Sequence, residues 1–199
     1  MASARYTLDA KASQFTLQAF AEGLAGIADH RPRFAVREFS GELEFSPDQQ
    51  NGSSMQLKAN ARSLEIMDDV SQGDRSAIEW VMFNEVLHPE TFPEVAFRSS
   101  RVVCKPVSEN RYSAEMVGTL TLHGTENLQT MQAQLILSSG SLRAYGEFRL
   151  RQSDYGLTIA SVAGGCSGSG TRSSSYFLLW LASLERGRPR LRRRNGGRS

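Results

Sequence analysis

The chain has 199 residues, 40% of them hydrophobic, which is enough for one well-buried core and too few for two comfortable domains. Its 23 Lys and Arg against 21 Asp and Glu are unevenly spread: residues 166–199 hold eight Arg and one Glu, which leaves 15 basic and 20 acidic residues in 1–165. That mildly acidic body gives a specific nucleic-acid reading no footing on the domain itself, and two cysteines, Cys104 and Cys166, exclude a disulfide scaffold.

The opening MASARYTLDA has neither a charged n-region nor an apolar h-region, so the chain is expected to be cytoplasmic. No run approaches the roughly 20 apolar residues needed to span a bilayer. Residues 5–20 alternate, with Phe15, Leu17 and Ala19 on one side and Gln14, Thr16 and Gln18 on the other, prefigured by Tyr6 and Leu8. Residues 21–31 read as a loop or short irregular crossing. A long pattern over 33–45 follows, with Phe39, Gly41, Leu43 and Phe45 facing one way. Asn51-Gly52 then marks a hairpin turn into Met55, Leu57, Ala59 and Ala61, so these two strands should pair antiparallel.

Between residues 68 and 87 the period changes. Ile78, Val81 and Met82 stand at i, i+3 and i+4, the stripe of an amphipathic helix lying on a core. Asp68, Asp69 and Ser71 offer N-cap chemistry, and Pro89 and Pro93 stop the helix. Strand pattern returns at 94–103 with Phe97. From Ala114 the small or apolar residues fall on every second position (Met116, Gly118, Leu120, Leu122), and His123-Gly124-Thr125 turns the chain. Leu128 is expected to start the next apolar run, Met131, Ala133, Leu135 and Leu137, and Leu142, Ala144, Gly146, Phe148 and Leu150 make the last clear strand.

Seven or eight short antiparallel strands with a helical insertion predict an all-β protein, and an eight-stranded closed barrel is the economical way to remove sheet edges. Ala59, Ala61, Ala114, Gly118, Ala133, Ala144 and Gly146 all share the inward phase. Small residues there either accommodate taper or leave room for a ligand.

Several ordered segments resemble the YceI-like family of bacterial lipid-binding proteins. They are Tyr6-Thr7-Leu8-Asp9, Phe39-Ser40-Gly41-Glu42-Leu43, Phe92-Pro93-Glu94-Val95-Ala96-Phe97-Arg98-Ser99, Gly118-Thr119-Leu120-Thr121-Leu122-His123-Gly124 and Arg151-Gln152-Ser153-Asp154-Tyr155-Gly156. The resemblance implies a lipocalin-like antiparallel barrel over 1–165 that binds rather than catalyses. It requires no cofactor and holds a long isoprenoid chain, such as the tail of a quinone or a polyprenyl lipid. On that reading the ligand lies against Phe15, Leu17, Phe39, Leu43, Leu57, Ala59, Phe97, Met116, Leu120, Leu135, Ala144 and Phe148.

The chain departs from the family after Gly165. Relatives continue with a charged, alternating strand that closes the barrel, whereas here Cys166 opens a Ser/Gly stretch and an Arg-rich tail to residue 199. GC-rich codons for Leu, Arg, Asp and Glu, read one base out, yield Cys, Ser, Gly and Arg, so a reading-frame slip is expected at this point. The last strand is then atypical or missing, with residues 175–184 a poor substitute that leaves an edge open.

Other readings are weaker. His30, His88 and His123 with Asp29, Asp74 or Asp154 form no recognised catalytic motif, and no metal-ligand spacing occurs. The apolar run 176–184 followed by seven Arg among 186–198 suits peripheral membrane contact, so a filled barrel acting as a protein- or membrane-interaction module through its tail is the alternative. A homodimer is left open.

Overall fold

The computed structural model describes residues 3–20, 32–46, 52–157 and 175–186; for residues 19, 20, 175–183 and 186 it describes the backbone alone. The expected loop over 21–31, the Asn51 half of the hairpin turn and the tail beyond 186 lie outside the described residues.

Among the described residues, eleven strand segments make one antiparallel sheet that closes on itself. They are β1 (Ala4–Leu8), β2 (Gln14–Phe20), β3 (Arg33–Val36), β4 (Phe39–Phe45), β5 (Ser54–Asn60), β6 (Leu64–Ile66), β7 (Glu94–Ser108), β8 (Arg111–Leu122), β9 (Thr125–Ser138), β10 (Ser141–Arg151) and β11 (Ser175–Arg186). The count resolves into eight barrel strands because the first three are each broken in two. β1 pairs with β4 and β2 with β3, while β4 pairs with β5 and β3 with β6. Each break has the same cause: the inward phase slips by one residue. Tyr6 and Leu8 are buried on even numbers and Phe15 on an odd one; Phe34 is even and Leu43 odd; Met55 is odd and Ile66 even. Since side chains alternate faces with period 2, a one-residue slip turns the pattern outward unless the strand bends. Corner hydrogen bonds hold one bend, with the Arg37 N–H donating to the Ser63 carbonyl at 3.0 Å and the Glu38 N–H to Ser63 Oγ at 3.0 Å.

From β7 on the strands are long and unbroken, and each pairs with the next through β11. The eighth place, where residues 175–184 were expected to substitute poorly, is taken by β11. Its backbone runs along β10 from Ser141↔Glu185 to Arg151↔Ser175 on one side, and along β2 and then β1 on the other. Tyr6↔Arg186 and Leu8↔Leu184 complete the ring, so the backbone edge left open in the sequence reading is covered here.

β7 carries a bulge between Ser99 and Arg101, and Gly118 of β8 lies opposite it. A Cβ on Gly118 would sit 2.3 Å from the Arg98 carbonyl oxygen and 2.6 Å from Ser99 Cα, so only glycine permits this approach. The β8–β9 turn uses His123 (φ 51°) and Gly124 (φ 71°).

The helix α1 (Gln72–Val81) runs on as a π-helical turn over Met82–Leu87. Ser71 caps it, its Oγ accepting from the Asp74 N–H at 3.1 Å. Arg75 ties the helix to the barrel by donating to the carbonyls of Ile66 (2.9 Å) and Asp68 (3.1 Å). Of the expected stripe, Ile78 and Met82 are buried and Val81 is half-buried against the same core as the inward residues of the barrel, and Val86 and Leu87 join them there. Leu128 corrects the sequence reading: it points outward, 70% exposed, and the inward phase of β9 begins with the half-buried Asn127 and Gln129 before Met131.

Candidate binding cavity

The barrel interior contains a cavity of about 120 Å³. Its walls come from both halves of the sheet. Phe15 and Leu17 of β2, Val36 of β3 and Phe39 of β4 meet Leu57 and Ala59 of β5 and Phe97 of β7. Leu120 and Leu122 of β8 and Met131 of β9 face Phe148 and Leu150 of β10 across it. The helical insertion supplies Met82 and Leu87. The Phe15 and Phe39 rings pack tilted at 4.5 Å.

Asn60 is the polar residue among the described lining, and its side chain is already committed: Nδ2 donates to Glu38 Oε2 at 2.7 Å and Oδ1 accepts from the Arg62 N–H at 2.9 Å. The cavity therefore offers a guest an apolar surface with no charged side chain among these lining residues and one amide whose nitrogen and oxygen each already hold a partner. A site of that chemistry selects hydrocarbon and repels anything whose polar atoms would lose water without compensation.

A second void, about 10 Å³, lies toward the other end of the barrel. Leu43, Met116, Leu135 and Ala144 line this smaller space together with Leu8, Val102, Cys104 and Ala114, whereas Phe15, Leu17, Phe39, Leu57, Ala59, Phe97, Leu120 and Phe148 line the larger cavity. The twelve residues singled out in the sequence thus face the interior, but in two separate spaces. Reading strands one at a time missed Met82 and Leu87, because a helical stripe signals burial without saying what it is buried against. It also missed Val36 and Leu64, which lie on the broken segments where the phase slips. Burial pushes the Cys104 thiol above its ordinary pKa, against a smaller lowering by a hydrogen bond with Ser53, so the protonated form is favoured.

The polar residues considered for chemistry are dispersed. His88 and His123 stack at 5.5 Å, with Phe92 4.3 Å from His123, and among the described residues no hydrogen bond or ion pair joins either imidazole to a carboxylate. Asp74 is occupied at the helix N-terminus with Ser71, and the Asp154 carbonyl accepts from Asn127. His30 and Asp29 lie outside the described residues. No three His, Cys, Asp or Glu side chains among the described residues are placed to hold a metal ion, and no described helix is long and apolar enough to cross a membrane.

An up-and-down antiparallel ring of eight strands around an apolar cavity defines the class: a lipocalin-like barrel. More particularly, the chain belongs to the YceI-like family, whose domain model matches residues 6–171. Solved structures agree on the fold. BcnA of Burkholderia cenocepacia superposes with a TM-score of 0.66 at 16% identity, covering 88% of this chain and 98% of its own. A polyisoprenoid-binding domain from Saccharophagus degradans, implicated in plant cell wall breakdown, gives 0.63 at 14% identity, covering 92% and 98%. A Campylobacter jejuni YceI protein gives 0.52 at 12% identity, covering 77% and 83%. No curated protein sequence matches the chain.

Proposed function

We propose that this protein binds a long isoprenoid or similar lipid chain inside the barrel and acts as a carrier or sequestering protein without catalysis. The observation that carries the reading is the cavity of about 120 Å³ whose described lining is apolar apart from an Asn60 with its polar atoms already paired. Burying a hydrocarbon there gains about 0.8 kcal/mol per methylene before ordering costs, so a chain of several isoprene units needs no charged anchor. The same fold in the Saccharophagus degradans domain, a polyisoprenoid-binding one, supports the reading. An isoprenoid quinone fits if its tail enters the cavity and its ring stays outside.

Native mass spectrometry of the purified protein, followed by organic extraction of what co-purifies, tests it. A stoichiometric prenyl or quinone mass is the expected result. A ligand-free mass from well-folded protein that also takes up no added prenyl alcohol would overturn the proposal.

A further inference from the structure

The interior is divided, and the division has a distinctive composition. The two spaces succeed one another along the strands: Leu120 and Leu122 line the larger and Ala114 and Met116 the smaller on β8, while Phe148 and Leu150 line the larger and Ala144 the smaller on β10. Among the described residues Met55 lines both. Met116 faces the smaller space and Met131 the larger, and these two stand directly opposite each other in the β8–β9 register. Met55, Met116 and Met131 are 8%, 2% and 5% exposed. Three buried thioethers from β5, β8 and β9 therefore meet the boundary between the two spaces.

The backbone beneath Met55 is fixed. Its N–H donates to Ser99 Oγ at 2.8 Å, and it pairs with Leu43 across β4. The side chain is another matter, because methionine is unbranched, has three rotatable bonds and refills space at little rotamer cost. On the far side the small Ala114 and Ala144 stand among Leu43 and Leu135 around the void of about 10 Å³.

Size makes the boundary consequential. A dry cavity of about 150 Å³ holds a benzene-sized guest, so the larger space alone, at about 120 Å³, accommodates only a short piece of hydrocarbon. The second void, about 10 Å³, adds little by itself, so a longer chain needs the methionine side chains to move aside and release the volume they occupy. We propose that Met55, Met116 and Met131 form a movable septum that sets the length of apolar chain the barrel accepts. This rests on the lipid-binding reading and adds to it a determinant of chain-length selectivity.

The test compares geraniol with geranylgeraniol, twofold longer, by displacement of a fluorescent apolar probe from the full chain. Met55→Ala is expected to raise affinity for geranylgeraniol by about tenfold, the equivalent of roughly two further buried methylenes, with a smaller change for geraniol. Met55→Phe, bulkier and stiffer, is expected to lower it by a similar factor. A ratio of the two affinities unchanged in both variants overturns the septum while retained geraniol binding leaves the lipid-binding reading standing; binding of neither alcohol to the unsubstituted protein overturns both. Methyl-labelled methionine in the unsubstituted protein supplies a measurement independent of variant folding. The Met116 methyl resonance should shift with saturating geranylgeraniol and stay in place with geraniol, and a Met116 resonance indifferent to the longer alcohol also overturns the septum.

Discussion

Replacing Gly118 by alanine is the sharpest perturbation of the barrel wall. The new Cβ would lie 2.3 Å from the Arg98 carbonyl oxygen, 2.6 Å from Ser99 Cα and 2.8 Å from the Arg98 carbonyl carbon. All three are backbone atoms of the neighbouring strand, so no side-chain rotation relieves the clash. Bringing the shortest contact out even to 3.0 Å needs β7 and β8 to part by about 0.7 Å at this point, against an interstrand spacing of about 4.8 Å. Overpacking of this kind costs about 1–3 kcal/mol and more where the backbone must move, and we expect Gly118→Ala to cost about 3 kcal/mol. Gly41→Ala is the internal control, since its Cβ would meet Gln56 O at 2.9 Å and the yielding Leu57 Cδ1 at 3.3 Å, and a loss of about 1 kcal/mol is expected. Urea denaturation followed by far-UV circular dichroism reads both, with m-values compared to verify that the unfolding transition itself is unchanged. A Gly118→Ala midpoint equal to that of Gly41→Ala, at equal m, would refute the close approach of β8 to the β7 bulge.

Three further outcomes are expected. Ser71→Ala removes the α1 cap and should destabilise the protein by about 1 kcal/mol, whereas Ser71→Asp should hold within a few tenths; equal losses in thermal melts would deny the capping role. Tyr155, fully buried and hydrogen-bonded to Gln129 at 2.8 Å, has its phenol pKa raised, chiefly by burial and in part by Asp154, against a lowering by Gln129. The fold therefore favours the neutral phenol: stability is unaffected below the unfolded pKa of about 10 and falls as pH rises through it. Tyr155→Phe should lower stability at neutral pH, yet flatten its alkaline decline above the ordinary phenol pKa, and an unaltered alkaline slope would remove this account. Finally, sequencing the gene across codon 165 tests the frame slip, and a neighbouring frame rich in stop codons instead of an alternating charged strand counts against it.

Much of this fold was legible from β8 to β10 because those strands keep one inward parity, whereas on β7 the bulge moves the inward phase from Phe97 to Val102. Ala114, Met116, Leu120 and Leu122 keep one parity for the length of β8, and the sequence pattern is the burial pattern. The first three strands were harder. Residues 33–45 read as one strand, since apolar residues occur throughout, yet Phe34 and Leu43 have opposite parity and the chain bends between them. That slip is visible in the sequence once parity is tracked across the whole segment. Leu128 misled for a related reason: a lone leucine next to a turn suggests the inward phase, but Met131 three residues on fixes the opposite one. The division of the interior could not have been read in advance, because Met116 and Leu120 share a strand face and a parity while lining different spaces. Only the axial position of each side chain in the closed ring distinguishes them.

Closure by the last strand has a consequence for how the protein is made. Tyr6 pairs with Arg186, 180 residues away along the chain. At a synthesis rate of about 5–20 residues per second, β1 and β2 wait roughly 9–36 s after emerging before β11 exists to pair with them. During that interval the β7–β10 meander can form from neighbouring hairpins, but one side of the nascent sheet stays unpaired on each flank. The ring can be sealed only once β11 has left the ribosome, so its slow step is a long-range one. Until then the growing chain is a curved, open sheet whose apolar inner face, the future barrel interior, is exposed to chaperones and to other nascent copies alike.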